Sequence, residues 1–199
     1  MKEGSEPTVP RPASERAAGL IGLFCPDPAG FGVVTAVSAV SVPAPDRQLL
    51  DHRGHMTVTM ERLHGCAVEL RVIAERHDAD AGHDRYAREI LLVRPDGVVV
   101  QYGIVRIDLS SMDSATAAAI RERSAPLGRI LLGAGLLCDV QRVELLRVEP
   151  ANHLRDLVGD VSPLHGRVAE IAIAGRTVIE LLEIAVPPPA PDARSGTRR

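Results

Sequence analysis

The chain has 199 residues, of which 45% are hydrophobic and only 2% aromatic, and its formal net charge is −3. The apolar share can build one core, and the charge supplies no basic field for nucleic acid. Phe24, Phe31, Tyr86 and Tyr102, with no tryptophan, are too few to stack a series of bases or sugars.

Residues 1–16 are polar and Pro-rich and read as disordered, as does the tail 187–199 with its proline run and basic end. One folded domain is therefore expected over 17–186. The apolar run 17–24 is too short to span a bilayer and no signal peptide precedes it, so a cytoplasmic location without membrane contact is expected. A short helix is predicted over 45–52. Met56-Thr-Val-Thr-Met60 alternates apolar and polar, which predicts a strand, and Gly65 a turn. Residues 67–75 alternate too: Val68, Leu70, Val72 and Ala74 lie on one face, Glu69, Arg71 and Glu75 on the other. These two segments read as a hairpin with one wet face.

The polar stretch 77–84 reads as a loop. Residues 85–94 and 98–107 read as strands joined at Pro95-Asp96-Gly97, where Pro fixes φ and Gly accepts a positive one. Ser110 to Asp113 offer N-caps for an Ala-rich helix over 114–123. Pro126 opens a second helix that Gly133 or Gly135 closes. A strand follows over 139–148, a short helix over 152–158, and a last hairpin of 166–174 with 177–186 around Gly175. Tight turns between strands and the lack of regular βαβ units predict an α+β domain with helices packed on one antiparallel sheet. With about seven strands, the sheet should curl strongly.

Charged residues on otherwise apolar strand faces are the informative exceptions. Arg88 alternates with Tyr86, Ile90 and Leu92; Arg106 alternates with Val100, Tyr102 and Ile104. Glu183 alternates with Ile179, Leu181 and Ala185, and Glu180 interrupts the opposite row. A guanidinium buried without a partner costs several kcal/mol, so either the protein or a ligand must supply an acid. The planar fork of arginine matches a carboxylate, and a buried glutamate suits general-acid work. An internal ion pair such as Arg88 with Glu183 satisfies the same pattern.

Five segments in order carry a resemblance: Gly54-His-Met-Thr-Val-Thr-Met60, Tyr86-Ala-Arg-Glu-Ile-Leu-Leu92, the Asp96-Gly97 turn, Ala125-Pro-Leu-Gly-Arg-Ile-Leu131, and Glu183-Ile-Ala-Val-Pro187. Over residues 47–187 the chain resembles the chorismate pyruvate-lyase (4-hydroxybenzoate synthase) family, whose fold is shared by the effector-binding domains of GntR-type regulators. The resemblance implies a strongly curved antiparallel sheet with helical flaps enclosing a buried ligand. It implies that Arg88 binds a substrate carboxylate, that Glu183 is the general acid, and that Leu127 and Gly128 line the pocket. Met56, Tyr86 and Tyr102 complete the expected substrate-binding set. The sequence departs from the family where Gly103 is followed by Ile104 rather than arginine; Arg106, two residues on, is the expected substitute. The Gly175–Glu183 gap is one residue longer, which a bulge could absorb.

A member of that family would remove pyruvate from chorismate, driven by aromatisation, with no cofactor or metal. The alternatives are the same pocket acting on another secondary metabolite, or a non-catalytic small-molecule sensor. Neither a monomer nor a homodimer is favoured by the sequence. Cys25, Cys66 and Cys138 form no Cys-x-x-Cys, so they read as small buried apolar residues in a reducing compartment. His52 and His55 flank Gly54, which breaks any helix that could align them on a metal; they read as a solvated turn. Gly133-Ala-Gly135 follows a helix and lacks the lysine of a phosphate loop, and Arg121-Glu-Arg123 reads as a solvated helix face.

Overall fold

The computed structural model describes residues 11–80 and 83–187; the predicted disordered segments lie outside the described residues except at 11–16 and Pro187. Among the described residues, seven α-helices and seven strands alternate irregularly. In chain order they are α1 (Ala13–Ile21), α2 (Pro28–Phe31), β1 (Gly32–Val37), α3 (Ala44–Leu50), α4 (Met56–His64), β2 (Glu69–Asp80), β3 (His83–Val93) and β4 (Val99–Asp108). There follow α5 (Ser114–Glu122), α6 (Leu127–Gly133), β5 (Cys138–Pro150), α7 (Asn152–Val158), β6 (Leu164–Ile173) and β7 (Arg176–Ala185). All strands pair antiparallel in one sheet ordered β1-β5-β6-β7-β4-β3-β2. The single α+β domain is the predicted one.

Period two divides the strands between two cores. One face carries Leu91, Tyr102, Ile104, Leu182 and Ile184, covered by α1, α2 and α7. The other face is split. Val105, Ile107, Ile179 and Leu181 pack under α5 and α6, whereas Ile90, Leu92, Val100 and Ala185 pack under α3 and α4. The gap between these two apolar clusters is where polar side chains enter the interior. Extra residues in β2, β4, β5 and β7 shift the register of the ladders, and such irregularities bend strands and increase twist. The β6–β7 hairpin closes on Ala174 and Gly175, both at positive φ, as a two-residue turn matched to strand twist requires.

Three sequence expectations are corrected. The segment starting at Met56 is helical, and β2 pairs with β3 instead. Met56, Thr57 and Met60 are buried at helical spacing, so the two-residue alternation there was a coincidence over five positions. Gly65 then ends α4 in the left-handed region. The predicted loop 77–84 belongs largely to β2 and β3, where Asp78 pairs with Arg85. Both faces of this extension are solvated on β2, so no apolar alternation marks it. Finally, α1 and β1 were not anticipated. α1 starts at Ala13, inside the segment read as disordered, and buries Ala13, Arg16, Ala17, Leu20 and Ile21. Arg16 disguised this stripe: it occupies a core position because Glu144 (2.6 Å) and Glu170 (3.6 Å) pair with it.

Candidate functional site

Antiparallel register places three transverse rows of side chains on the split face. The first runs Arg88, Val105, Leu181 and Ala169; the second Ile90, Gly103, Glu183 and Arg167; the third Leu92, Gln101, Ala185 and His165. Residues directly opposite point to the same side of a sheet. Successive rows are two residues, or about 7 Å, apart. Most of these residues form the floor of one cavity. Its roof comes from two helix starts, Gly54 to Thr57 entering α4 and Pro126 to Gly128 entering α6. The helices meet closely: a methyl group on Gly128 would sit 3.4 Å from the His55 Cβ and 3.5 Å from the Thr57 hydroxyl. The cavity volume is about 50 Å³; a water needs about 10–15 Å³ on this scale, so the space suits a few waters or a slender ligand.

Arg88 is 1% exposed and has no carboxylate partner among the described residues. Its Nη1 reaches the Ile120 carbonyl only at 3.5 Å, and its Nε has no acceptor. Burial lowers its pKa from the ordinary arginine value, with the Tyr86 hydroxyl and, less strongly, the Glu75 carboxylate acting in the opposite direction. Glu183 is engaged elsewhere. Its Oε2 accepts the Nε–H of Arg167 at 2.7 Å, and Arg167, also 1% exposed, donates Nη1 to the carbonyls of His52 (2.7 Å) and Leu50 (3.2 Å). This pair ties β6 and β7 to the loop that leads into α4. Gln101 is buried, and its Oε1 has no partner among the described residues.

The structure thus brings Arg88, Glu183, Leu127, Gly128 and Met56 to one cavity. Tyr86 lies on the same strand face as Arg88, but its hydroxyl donates to Glu75 at 3.1 Å. Tyr102 and Arg106 lie on the opposite face. Tyr102 donates to Glu89 at 2.6 Å, and Arg106 pairs with Glu180 at 2.6 Å. Alternation assigns partners within one strand, but only register decides which faces of two strands coincide; Arg88 lies opposite Val105, so Arg106 faces away. The internal ion pair exists, with Arg167 rather than Arg88 as the cation.

Arg167 and Gln101 were missed. Arg167 heads the apolar row Ala169, Ile171 and Ile173, the same signal that singled out Arg88. Glu89 carries it as well, among Ala87, Leu91 and Val93; it is 1% exposed and accepts bonds from Tyr102 and from His153 at 2.7 Å. His52 and His55 do not form a solvated turn. Both are half-buried beside the Arg167–Glu183 pair, and burial first, with Arg167 adding to it, lowers their pKa below 6.5. Of the cysteines, Cys25 is buried, while Cys66 and Cys138 are intermediate.

No protein-family model matches the sequence, and comparison with curated proteins finds no relative. Solved structures do resemble it. PhnF from Mycobacterium smegmatis aligns with a TM-score of 0.50 at 14% identity, over 68% of this chain and 64% of that one. The effector domain of the same protein aligns with a TM-score of 0.48 at 13% identity, over 67% and 88%. The ligand-binding domain assigned to a GntR-family transcriptional regulator of Bordetella bronchiseptica gives 0.46 at 15% identity, over 59% and 85%. At these identities the likeness is one of fold. No helix among the described residues is long and apolar enough to cross a membrane.

Proposed function

We propose that this chain is a non-catalytic small-molecule-binding domain whose cavity captures a compact carboxylate on Arg88. The observation that carries this reading is a guanidinium 1% exposed, lining a cavity, with no salt bridge and an orphaned Nε among the described residues. Leaving such a group unpaired costs several kcal/mol, and a bound carboxylate would supply both the charge and the acceptors. The fold shared with PhnF, a protein with a named effector domain, supports a binding role. Thermal-shift titration with small carboxylates tests it. Wild type should be stabilised, as any ligand selective for the folded state requires, and Arg88→Met should not respond. A wild-type protein indifferent to every acid from acetate to benzoate would remove the reading.

One observation favours a second reading, cleavage of chorismate to pyruvate and 4-hydroxybenzoate: Arg88 and Glu183 line the same cavity. Two others oppose it. The Glu183 Oε2 is taken by Arg167 at 2.7 Å, and the cavity of about 50 Å³ is far below the few hundred Å³ usual for sites of that ligand size. Incubation with chorismate should release no pyruvate; enzymatic turnover would transfer the site to the lyase reading.

A further inference from the structure

Resting on the anion-binding reading, we infer that Gln101 is a specificity residue and that the ligand is a slender monoacid carrying a hydrogen-bond donor at its end remote from the acid. Gln101 is 3% exposed and lines the cavity, and its Oε1 takes no hydrogen bond from the described residues. Its transverse neighbours Leu92 and Ala185 have no side-chain donor to offer. A buried amide oxygen without a partner is a rare arrangement in a folded protein, and the residue that carries it lines the cavity.

The register sets the spacing. Arg88 lies opposite Val105, and Gln101 stands four residues along the same strand, an offset of about 13 Å between backbone positions. The arginine side chain covers part of that distance. Gly103, midway, adds no side chain to the floor, and the Ile90 side chain leans against it, 3.4 Å from where a Cβ would sit, so only a slender chain fits between the two polar ends. Glu183, beside Gly103, is already balanced by Arg167. The Gln101 end therefore has no spare positive charge for a second acid, and the donor must be a hydroxyl or amine.

The test compares 4-hydroxybutanoate with pentanoate, which has the same number of non-hydrogen atoms, and with glutarate, by isothermal titration of the intact chain. Wild type should bind 4-hydroxybutanoate about tenfold more tightly than either. Gln101→Leu should erase the preference over pentanoate while retaining pentanoate itself. Equal wild-type affinities for all three acids, or a preference unchanged in Gln101→Leu, overturn the role of Gln101. In that outcome, pentanoate binding that is still lost in Arg88→Met leaves the anion site standing. If wild type binds none of the acids, both readings fall. The wild-type ratios decide the matter without any variant, should Gln101→Leu not fold.

Discussion

Glu183 is bound to Arg167, its directly opposite neighbour on β6, and not to Arg88, with which it shares a cavity. One buried cation of the site is thereby neutralised within the protein, and the other has no salt-bridge partner among the described residues. The two arginines, equally buried, should respond oppositely to removal.

Truncating Glu183 leaves Arg167 charged and buried. Glu183→Leu is expected to lose about 3–5 kcal/mol, as when one member of a buried pair is removed. The double variant Arg167→Met, Glu183→Leu should recover most of that loss. Urea unfolding of wild type and the three variants completes the cycle; an additive double variant would mean that the two side chains do not couple.

Arg88→Met removes a cation that forms no salt bridge among the described residues, with Glu75 on β2 acting on it only at longer range, and replaces it with an apolar chain of similar length. The urea midpoint should rise, equivalent to about 1–3 kcal/mol, while stabilisation by small carboxylates disappears. Gain of stability with loss of binding marks a group kept for a ligand. A loss of stability would mean that Arg88 has a structural role in the free protein.

Gly166 precedes Arg167 on β6, opposite Ile184 of β7. An added Cβ would lie 2.6 Å from the Glu183 carbonyl oxygen and 3.0 Å from Ile184 Cγ1. Gly166→Ala should therefore destabilise by about 1–3 kcal/mol. Gly133, at the end of α6, has nothing within 4 Å, and Gly133→Ala should gain about 0.5–1 kcal/mol from the chain-entropy difference. Thermal unfolding of the pair provides the comparison.

His52 and His55 have pKa values lowered from 6.5 in the fold, chiefly by burial. Below 6.5 the unfolded chain takes up protons that the folded one refuses. Their contribution to stability is therefore complete above 6.5 and is lost as pH falls from there towards the folded values. Asp108, held below 3.8 first by the Ser110 hydroxyl, keeps its contribution until much lower pH. Urea midpoints at about pH 7.5 and about pH 5.5 should differ in wild type and converge in His52→Asn, His55→Gln. An equal drop in the variant would assign the acid sensitivity to other groups.

The strands after Arg85 were legible because each is half- or fully buried, so alternation and turn residues such as Pro95, Gly97 and Gly175 marked their limits. α4 was not, since Met56 to Met60 satisfies both periods and only contact with the sheet selects one. α1 was hidden by Arg16, whose partners Glu144 and Glu170 lie more than a hundred residues away. At the site, the rule that found Arg88 and Glu183 would also have found Arg167 and Glu89, had it been applied to every strand.

Local pattern alone determined an antiparallel α+β sheet, its helix caps, and the fact that several charges must enter the interior. These follow from side-chain period and backbone sterics, which act within a few residues. Which charge meets which was decided by tertiary register. The placement of β6 beside β7 gives Glu183 to Arg167, and the pairing of Arg88 with Val105 turns Arg106 towards Glu180. A one-residue slip exchanges the two faces of a strand, and that choice is fixed by packing across the whole sheet rather than by any single segment.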